Sequence, residues 1–125
     1  MRVITRSPVF LACERSFHGK TTGAVSLTSY FPYREPFLRL GPKCQFLSNQ
    51  DLEDAIILQR SFEENIITAY DLRLTNDSLE LKPIRICNIP AVFIEPIQGE
   101  GGVHIFSEKC MHNIRNVTKI FSVPL

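Results

Sequence analysis

The chain has 125 residues, room for one domain of modest size. Fourteen Lys and Arg against 13 Asp and Glu leave a formal charge of +1, too balanced for a protein whose task is to grip nucleic-acid phosphates or coat an anionic membrane. At 44% hydrophobic and 22% charged residues the composition is that of a folded domain rather than a disordered one, and no apolar run approaches the roughly 20 residues of a membrane-spanning helix.

The first segment, Met1 to Cys13, imitates a secretory leader only superficially. Arg6 and Pro8 break what should be an apolar core of about 7–15 residues, and Glu14-Arg15 follows at once. Cys13, Cys44, Cys87 and Cys110 form no CxxC pair, so reduced, mostly buried thiols in a cytoplasmic protein are expected. Cys110 and His112 lie two apart without a second ligand pair, and no metal site is expected. In such a compartment the sequons at Asn76 and Asn116 carry no consequence.

Along the chain, Arg2–Cys13 predicts a strand broken near Pro8. Ser16–Thr28 predicts a turn at Gly19 leading into a short helix. Tyr30–Pro42, crowded with aromatic rings and prolines, reads as an ordered, irregular loop. Ser48 and Asp51 open a helix whose apolar stripe is Leu52, Ala55, Ile56, Phe62 and Ile66, ending between Arg60 and Tyr70. Residues 71–88 alternate weakly around the turn signal Asn76-Asp-Ser, as in a surface hairpin or insertion. Ile89–Ile94 is a short apolar run of the kind buried on both faces in a parallel sheet. Ser107 caps a last helix with Met111, Ile114, Val117, Thr118 and Phe121 on its inner stripe and Lys119 near its end. Pro124 lies beyond it, so the order is strand, loop, helix, with a next strand barely begun.

Two loops could carry chemistry. Glu95-Pro-Ile-Gln-Gly-Glu-Gly-Gly102 follows the predicted buried strand, and open α/β sheets bind ligands past the carboxyl ends of their strands. Its plain alternative is a tight loop with solvated acids. Phe17-His-Gly-Lys-Thr21 invites a phosphate-loop reading, but that loop needs a glycine where this chain has Glu14, an anion in the place of phosphate charge. Taken singly, His18 reads as a hydrogen-bonded structural histidine, Phe17 as core, and Tyr33-Arg34-Glu35 as a loop ion pair.

In their order, Ser16-Phe-His-Gly-Lys-Thr-Thr-Gly-Ala-Val-Ser-Leu-Thr28, Tyr33-Arg-Glu-Pro-Phe37 and Ala91-Val-Phe-Ile-Glu-Pro-Ile-Gln-Gly-Glu-Gly-Gly-Val103 together resemble the class-III aminotransferases, pyridoxal-phosphate enzymes of the ornithine, acetylornithine, γ-aminobutyrate and putrescine transaminase type. The fold this resemblance implies is α/β: part of the three-layer large domain of fold-type I transferases, a mostly parallel sheet with flanking helices, truncated at both ends. It covers residues 1–125, with 59–90 a loosely matching insertion. The implied activity moves an amino group from an amine or amino acid to a 2-oxo acid. The implied complete protein is a homodimer that needs neither nucleic acid nor membrane.

The resemblance also implies roles. Phe17 matches the aromatic residue that stacks on the pyridine ring of pyridoxal 5'-phosphate, with His18 and Gly19 shaping that side of the pocket and Glu95 a pocket acid at the strand end. Lys20 stands where acetylornithine-type members carry a substrate-binding arginine. Lysine lacks the planar fork of arginine, and diamine-type members with Gly-Lys here are nearer. Glu100 matches a glutamate that pairs with an active-site arginine and so gates the substrate. The family's cofactor-bearing lysine and its pyridine-nitrogen aspartate have no counterpart in context: Lys20, Lys43, Lys82, Lys109 and Lys119 all lie in other settings, and no catalytic residue is assigned. Two other readings stand beside this one. One is an inactive remnant or incomplete gene product of the family; the other is an unrelated α/β binding module.

Overall fold

The structure is a computed structural model, and it describes residues 6–75 and 78–125. Strand β1 (Val9–Cys13) begins directly after Pro8, where the predicted break lies. It pairs in parallel with β2 (Lys43–Leu47) on one side and with β5 (Val92–Phe93) on the other, giving the order β2-β1-β5. Leu11 stands opposite Val92 and Ala12 opposite Phe93, so β1 and β5 deliver their carboxyl ends to the same edge of the sheet. After the last helix the chain returns beside β5, where the Val92 amide donates to the Pro124 carbonyl at 2.9 Å.

The helices follow from local chemistry. α1 (Thr22–Leu27) is capped by the Thr21 hydroxyl, which accepts from the Ala24 amide. It packs on β1 and β2, burying Val25 and Leu27. On the other face lie α3 (Asn49–Glu53), α4 (Ala55–Glu63) and α5 (Glu108–Ile120). These bury Leu52, Leu58, Phe62, Cys110, Ile114 and Val117 against Leu11, Cys13 and Leu47 of the sheet. Phe62 meets Phe121 with ring centroids 5.3 Å apart, and the Asn113 amide crosses to the Leu52 and Glu53 carbonyls at the end of α3. The result is a three-layer arrangement of helix, parallel sheet and helices.

Several elements differ from the sequence-based expectation. The single helix expected after Ser48 is two, because Asp54 leaves helical geometry (φ −102°, ψ 102°) and caps α4 by accepting from the Ile56 and Ile57 amides. The expected loop at 30–42 contains a short helix α2 (Phe31–Arg34) and a 3-10 turn (Glu35–Phe37), each with proline in its first turn. The apolar run 89–94 yields only two strand residues: Val92 is buried, whereas Phe93 is exposed at the sheet margin, so the run is not buried on both faces. β2 was not foreseen at all. β3 (Ile66–Thr75) and β4 (Ser78–Cys87) form the antiparallel hairpin suggested for that region, longer than expected. Its turn signal, at residues 76–77, lies outside the described residues. A small hairpin of β6 (Ile97–Gln98) and β7 (His104–Ile105) frames the glycine-rich loop.

The four cysteines are free: Cys13 and Cys110 buried, Cys44 and Cys87 half-buried. Burial pushes the Cys13 and Cys44 thiols up to about 12, so neither is a thiolate at neutral pH. No helix among the described residues is long and apolar enough to cross a membrane.

Ile114 is fully enclosed at the centre of α5. Ile114→Ala removes three carbons from a packed interior and is expected to cost about 3 kcal/mol in urea unfolding, with little change in the slope of the transition.

Candidate functional site

The site is assembled where β1 and β5 end. Past Cys13 the chain reverses through Arg15, a non-glycine residue at φ 61°, whose amide donates to Ser29 Oγ at 2.9 Å. The next residues run alongside the end of α1. The Ser29 amide donates to the Ser16 carbonyl at 2.9 Å, and the His18 amide to Thr28 Oγ1 at 3.0 Å. Gly19 then takes φ 119°, which a side chain adopts only with strain.

The glycine-rich loop is fastened to this segment by two side chains. Glu95 Oε2 accepts the Phe17 amide at 3.0 Å while its Oε1 accepts the Gly99 amide at 3.4 Å. Gln98, fully buried, donates through Nε2 to the Glu14 carbonyl at 2.7 Å. The loop then passes so close to the reversal that a Cβ at Gly101 would run into the Arg15 carbonyl oxygen, so only glycine fits there. Beyond it, the Arg15 guanidinium reaches His104, Nη1 to Nε2 2.7 Å. A guanidinium can only donate, so His104 accepts through Nε2 and carries its proton on Nδ1.

Between the two segments lies a cleft of about 430 Å³, lined by Arg15, Ser16, Phe17, Thr28, Tyr30 and Tyr33, with Glu100 and Gly101 opposite. Its wall is aromatic: Tyr33 meets Phe17 edge-on at 6.5 Å between centroids and Tyr30 at 5.0 Å. Arg15 and Glu100 supply one charge of each sign. A volume of this order lies within the range of small-molecule sites.

Of the residues singled out from sequence, the structure brings Phe17 and Glu100 into one cleft and places Glu95 directly behind Phe17, as a clamp on its backbone. His18 turns away from the cleft to pack edge-on against Phe93, at 5.9 Å. Burial holds the His18 imidazole below its ordinary pKa of 6.5, the Glu95 carboxylate pulling weakly the other way, and its Nε2 has no partner among the described residues. Lys20 is exposed and does not line the cleft. Arg34 makes no ion pair with Glu35; its guanidinium lies over Phe46 at 4.5 Å and donates to the Ser29 carbonyl. Sequence reasoning missed Arg15, Thr28, Tyr30 and Tyr33 as lining residues. The aromatic density of 30–37 was the available signal, read there as loop character rather than as a wall.

Comparison with known proteins places the chain in a family. The family model for aminotransferase class-III matches residues 1–123. The acetylornithine aminotransferase of Methanosarcina acetivorans is 33% identical over 116 residues, which is 93% of this chain and 23% of that protein. A [LysW]-aminoadipate semialdehyde/glutamate semialdehyde transaminase of Sulfurisphaera tokodaii is 32% identical over 118 residues, 94% of this chain and 24% of that one. Among solved structures, the ornithine aminotransferase of Toxoplasma gondii superposes with a TM-score of 0.63 over 97% of this chain and 23% of its own, at 20% identity, a likeness of fold. The chain thus spans about a quarter of the length of the relatives it matches. A family match over almost every residue makes the chain a member of the class-III aminotransferases.

Proposed function

We propose that this chain forms one wall of the cofactor and substrate pocket of a pyridoxal-phosphate aminotransferase, whose complete activity moves an amino group between an amine or amino acid and a 2-oxo acid. The observation that carries the reading is the 3.0 Å bond from the Phe17 amide to Glu95, which joins two motifs 78 residues apart behind one cleft. The residues present suit the cofactor: an apolar ring at Phe17 for a flat pyridine, and the Tyr30 and Tyr33 hydroxyl groups for its polar rim. When bound, pyridoxal phosphate supplies the electron sink that amino transfer needs.

The chain's own residues divide the remaining work. Phe17 gives the ring a face to lie on, and Glu95 fixes the height of that face by holding its amide. Glu100, across the cleft, offers a carboxylate to the amino end of a substrate or to a guanidinium that competes for it. His18 and Gly19 shape the wall from behind, and Lys20 stands outside, where it can meet only a substrate longer than the cleft. None of the five lysines of the chain lines the cleft, so we assign the cofactor-bearing lysine to no residue of this sequence. That same observation favours a second reading, a family member without activity of its own. In either case a homodimer in the cytoplasm remains a proposal carried by the family alone.

Titrating the 125-residue chain with pyridoxal phosphate while following backbone amide resonances tests the pocket. Shifts concentrated at 15–17, 28–33 and 100–101, weakened about tenfold by Phe17→Ala, are expected. Shifts scattered over surface lysines, unaffected by that substitution, would refute the assignment. The chain alone is expected to show no transfer of an amino group from an amine or amino acid other than glutamate to 2-oxoglutarate, which separates wall from enzyme. Glu95→Ala strips two backbone amides of their ionised acceptor and should cost about 2 kcal/mol in urea unfolding, with the Phe17 amide becoming the most changed resonance.

Acid should weaken the fold through His18. Its folded-state pKa lies below the unfolded value of 6.5, so the unfolded chain takes up the proton first. The stability held by neutral His18 is complete above about 6.5 and is lost as the pH falls below it. Urea midpoints compared between neutral and mildly acidic buffer should drop more for the parent chain than for His18→Gln; equal drops would show that His18 does not contribute.

A further inference from the structure

Among the described residues lining the cleft, Arg15 is the only cation. Its guanidinium is held without being neutralised. Nη1 donates to His104 Nε2 at 2.7 Å, an uncharged acceptor, and no described carboxylate is ion-paired with it, Glu100 included. The Nε and Nη2 donors, the side-on edge of the planar fork, have no partner among the described residues. Both members of the pair are delivered by unusual backbone. Arg15 sits at φ 61°, and His104 follows Gly102 at φ 98° and the β-branched Val103 at φ 39°. They are also rooted together. Gln98, which stands opposite His104 in the β6–β7 register, donates to the carbonyl of Glu14, the residue before Arg15. Non-glycine residues keep such a backbone only where the surrounding fold imposes it, and strain of this kind gathers at ligand sites. A cation so fixed, with an open fork beside a cleft, is arranged to meet an anion.

We propose that Arg15 takes the carboxylate of the substrate, with His104 as the residue that positions it, so that the cleft selects ligands bearing a carboxylate over diamines. The assignment rests on the cleft being the substrate pocket. The chemistry recognised is an oxyanion that accepts two parallel N–H bonds, which a substrate carboxylate and the phosphate of the cofactor both offer. Position favours the carboxylate. Arg15 and Glu100 border the same aromatic-walled cleft without pairing with each other, a match for one molecule with a negative and a positive end. A diamine would set its second ammonium beside the guanidinium, where like charges repel. Lys20, which gave the sequence its likeness to diamine-type members, does not line the cleft and cannot reverse that choice.

Side-chain guanidinium resonances of the 125-residue chain, followed with 5-aminopentanoate and with 1,5-diaminopentane as probes, test the assignment. The Arg15 Nε and Nη signals are expected to shift, and to exchange more slowly with water, on addition of 5-aminopentanoate, and to stay in place with 1,5-diaminopentane. Arg15→Gln should weaken 5-aminopentanoate about tenfold, read from the amides of 15–17 and 28–33, and not weaken 1,5-diaminopentane. His104→Ala should weaken it about threefold and speed exchange of the Arg15 signals, while His104→Gln, which keeps an acceptor there, restores both. Far-UV circular dichroism checks that each variant folds; should Arg15→Gln not fold, the Arg15 signals of the parent chain decide alone. Arg15 signals indifferent to 5-aminopentanoate, or moved equally by 1,5-diaminopentane, overturn the proposal. His104→Ala behaving as the parent chain overturns the part given to His104. Arg15→Gln weakening pyridoxal phosphate, but neither pyridoxal nor 5-aminopentanoate, also overturns the proposal and assigns the guanidinium to the phosphate. The pocket reading stands or falls separately, on pyridoxal phosphate shifts that Phe17→Ala weakens.

Discussion

The parallel pairing of β1 with β5 is the constraint on which the site rests. Two residue pairs, Leu11 with Val92 and Ala12 with Phe93, set the register, and everything past the strand ends inherits it. So short a ladder cannot by itself hold two loops in step. The clamp comes from the side chains immediately downstream: Glu95, which accepts one amide from each loop, and Gln98, which reaches back to Glu14. A carboxylate accepting backbone amides is a stronger acceptor than a neutral group, and its partners are left costly to satisfy if it is removed. Glu95, which the family resemblance implies as a pocket acid, therefore has a structural task in this chain, holding the backbone of Phe17.

How much of this was legible in the sequence depends on how local the cause is. α5 was readable because its cap, Ser107, its first-turn Glu108 and its apolar stripe all lie within one segment. α1 was readable because Gly19, at positive φ, marks the irregular segment before it, although its cap, Thr21, was not singled out. The break between α3 and α4 was hidden because the apolar spacing continues across Asp54, and only the competition of its carboxylate for the Ile56 and Ile57 amides ends one helix and starts the next. β2 was hidden because Lys43-Cys-Gln-Phe-Leu47 is short and alternates in exposure, a pattern that reads as strand only beside β1.

The candidate site divides along the same line. Glu95, Gln98 and the glycines announce themselves as a motif, and so does Phe17-His-Gly. Arg15, Tyr30 and Tyr33 do not, since each enters the cleft through a tertiary accident: a reversal at positive φ for Arg15, a proline-bearing helical turn for the tyrosines. Arg15 is the more instructive of these. Its backbone adopts a conformation that ordinarily selects glycine or asparagine, and the compensation is visible in the Ser29 hydroxyl that takes its amide and the Gly101 that leaves room for its carbonyl. A strained residue held from both loops is placed with little freedom, and its guanidinium is presented at the mouth of the cleft on a fixed backbone.

The apolar surface of the chain is accordingly of two kinds. Around the cleft, Tyr30 and Tyr33 are exposed but mixed with hydroxyls and an arginine. On the β3–β4 hairpin, Leu72, Leu74, Leu79 and Leu81 are exposed side by side without any polar group among them. The charged side of the hairpin sharpens the contrast. Charges of both signs, Asp71 opposite Lys82 and Arg73 opposite Glu80, occupy one face, so a one-residue slip would exchange them with the leucines of the other. The register that keeps those charges on one face is therefore the same one that keeps the leucine rows together on the other.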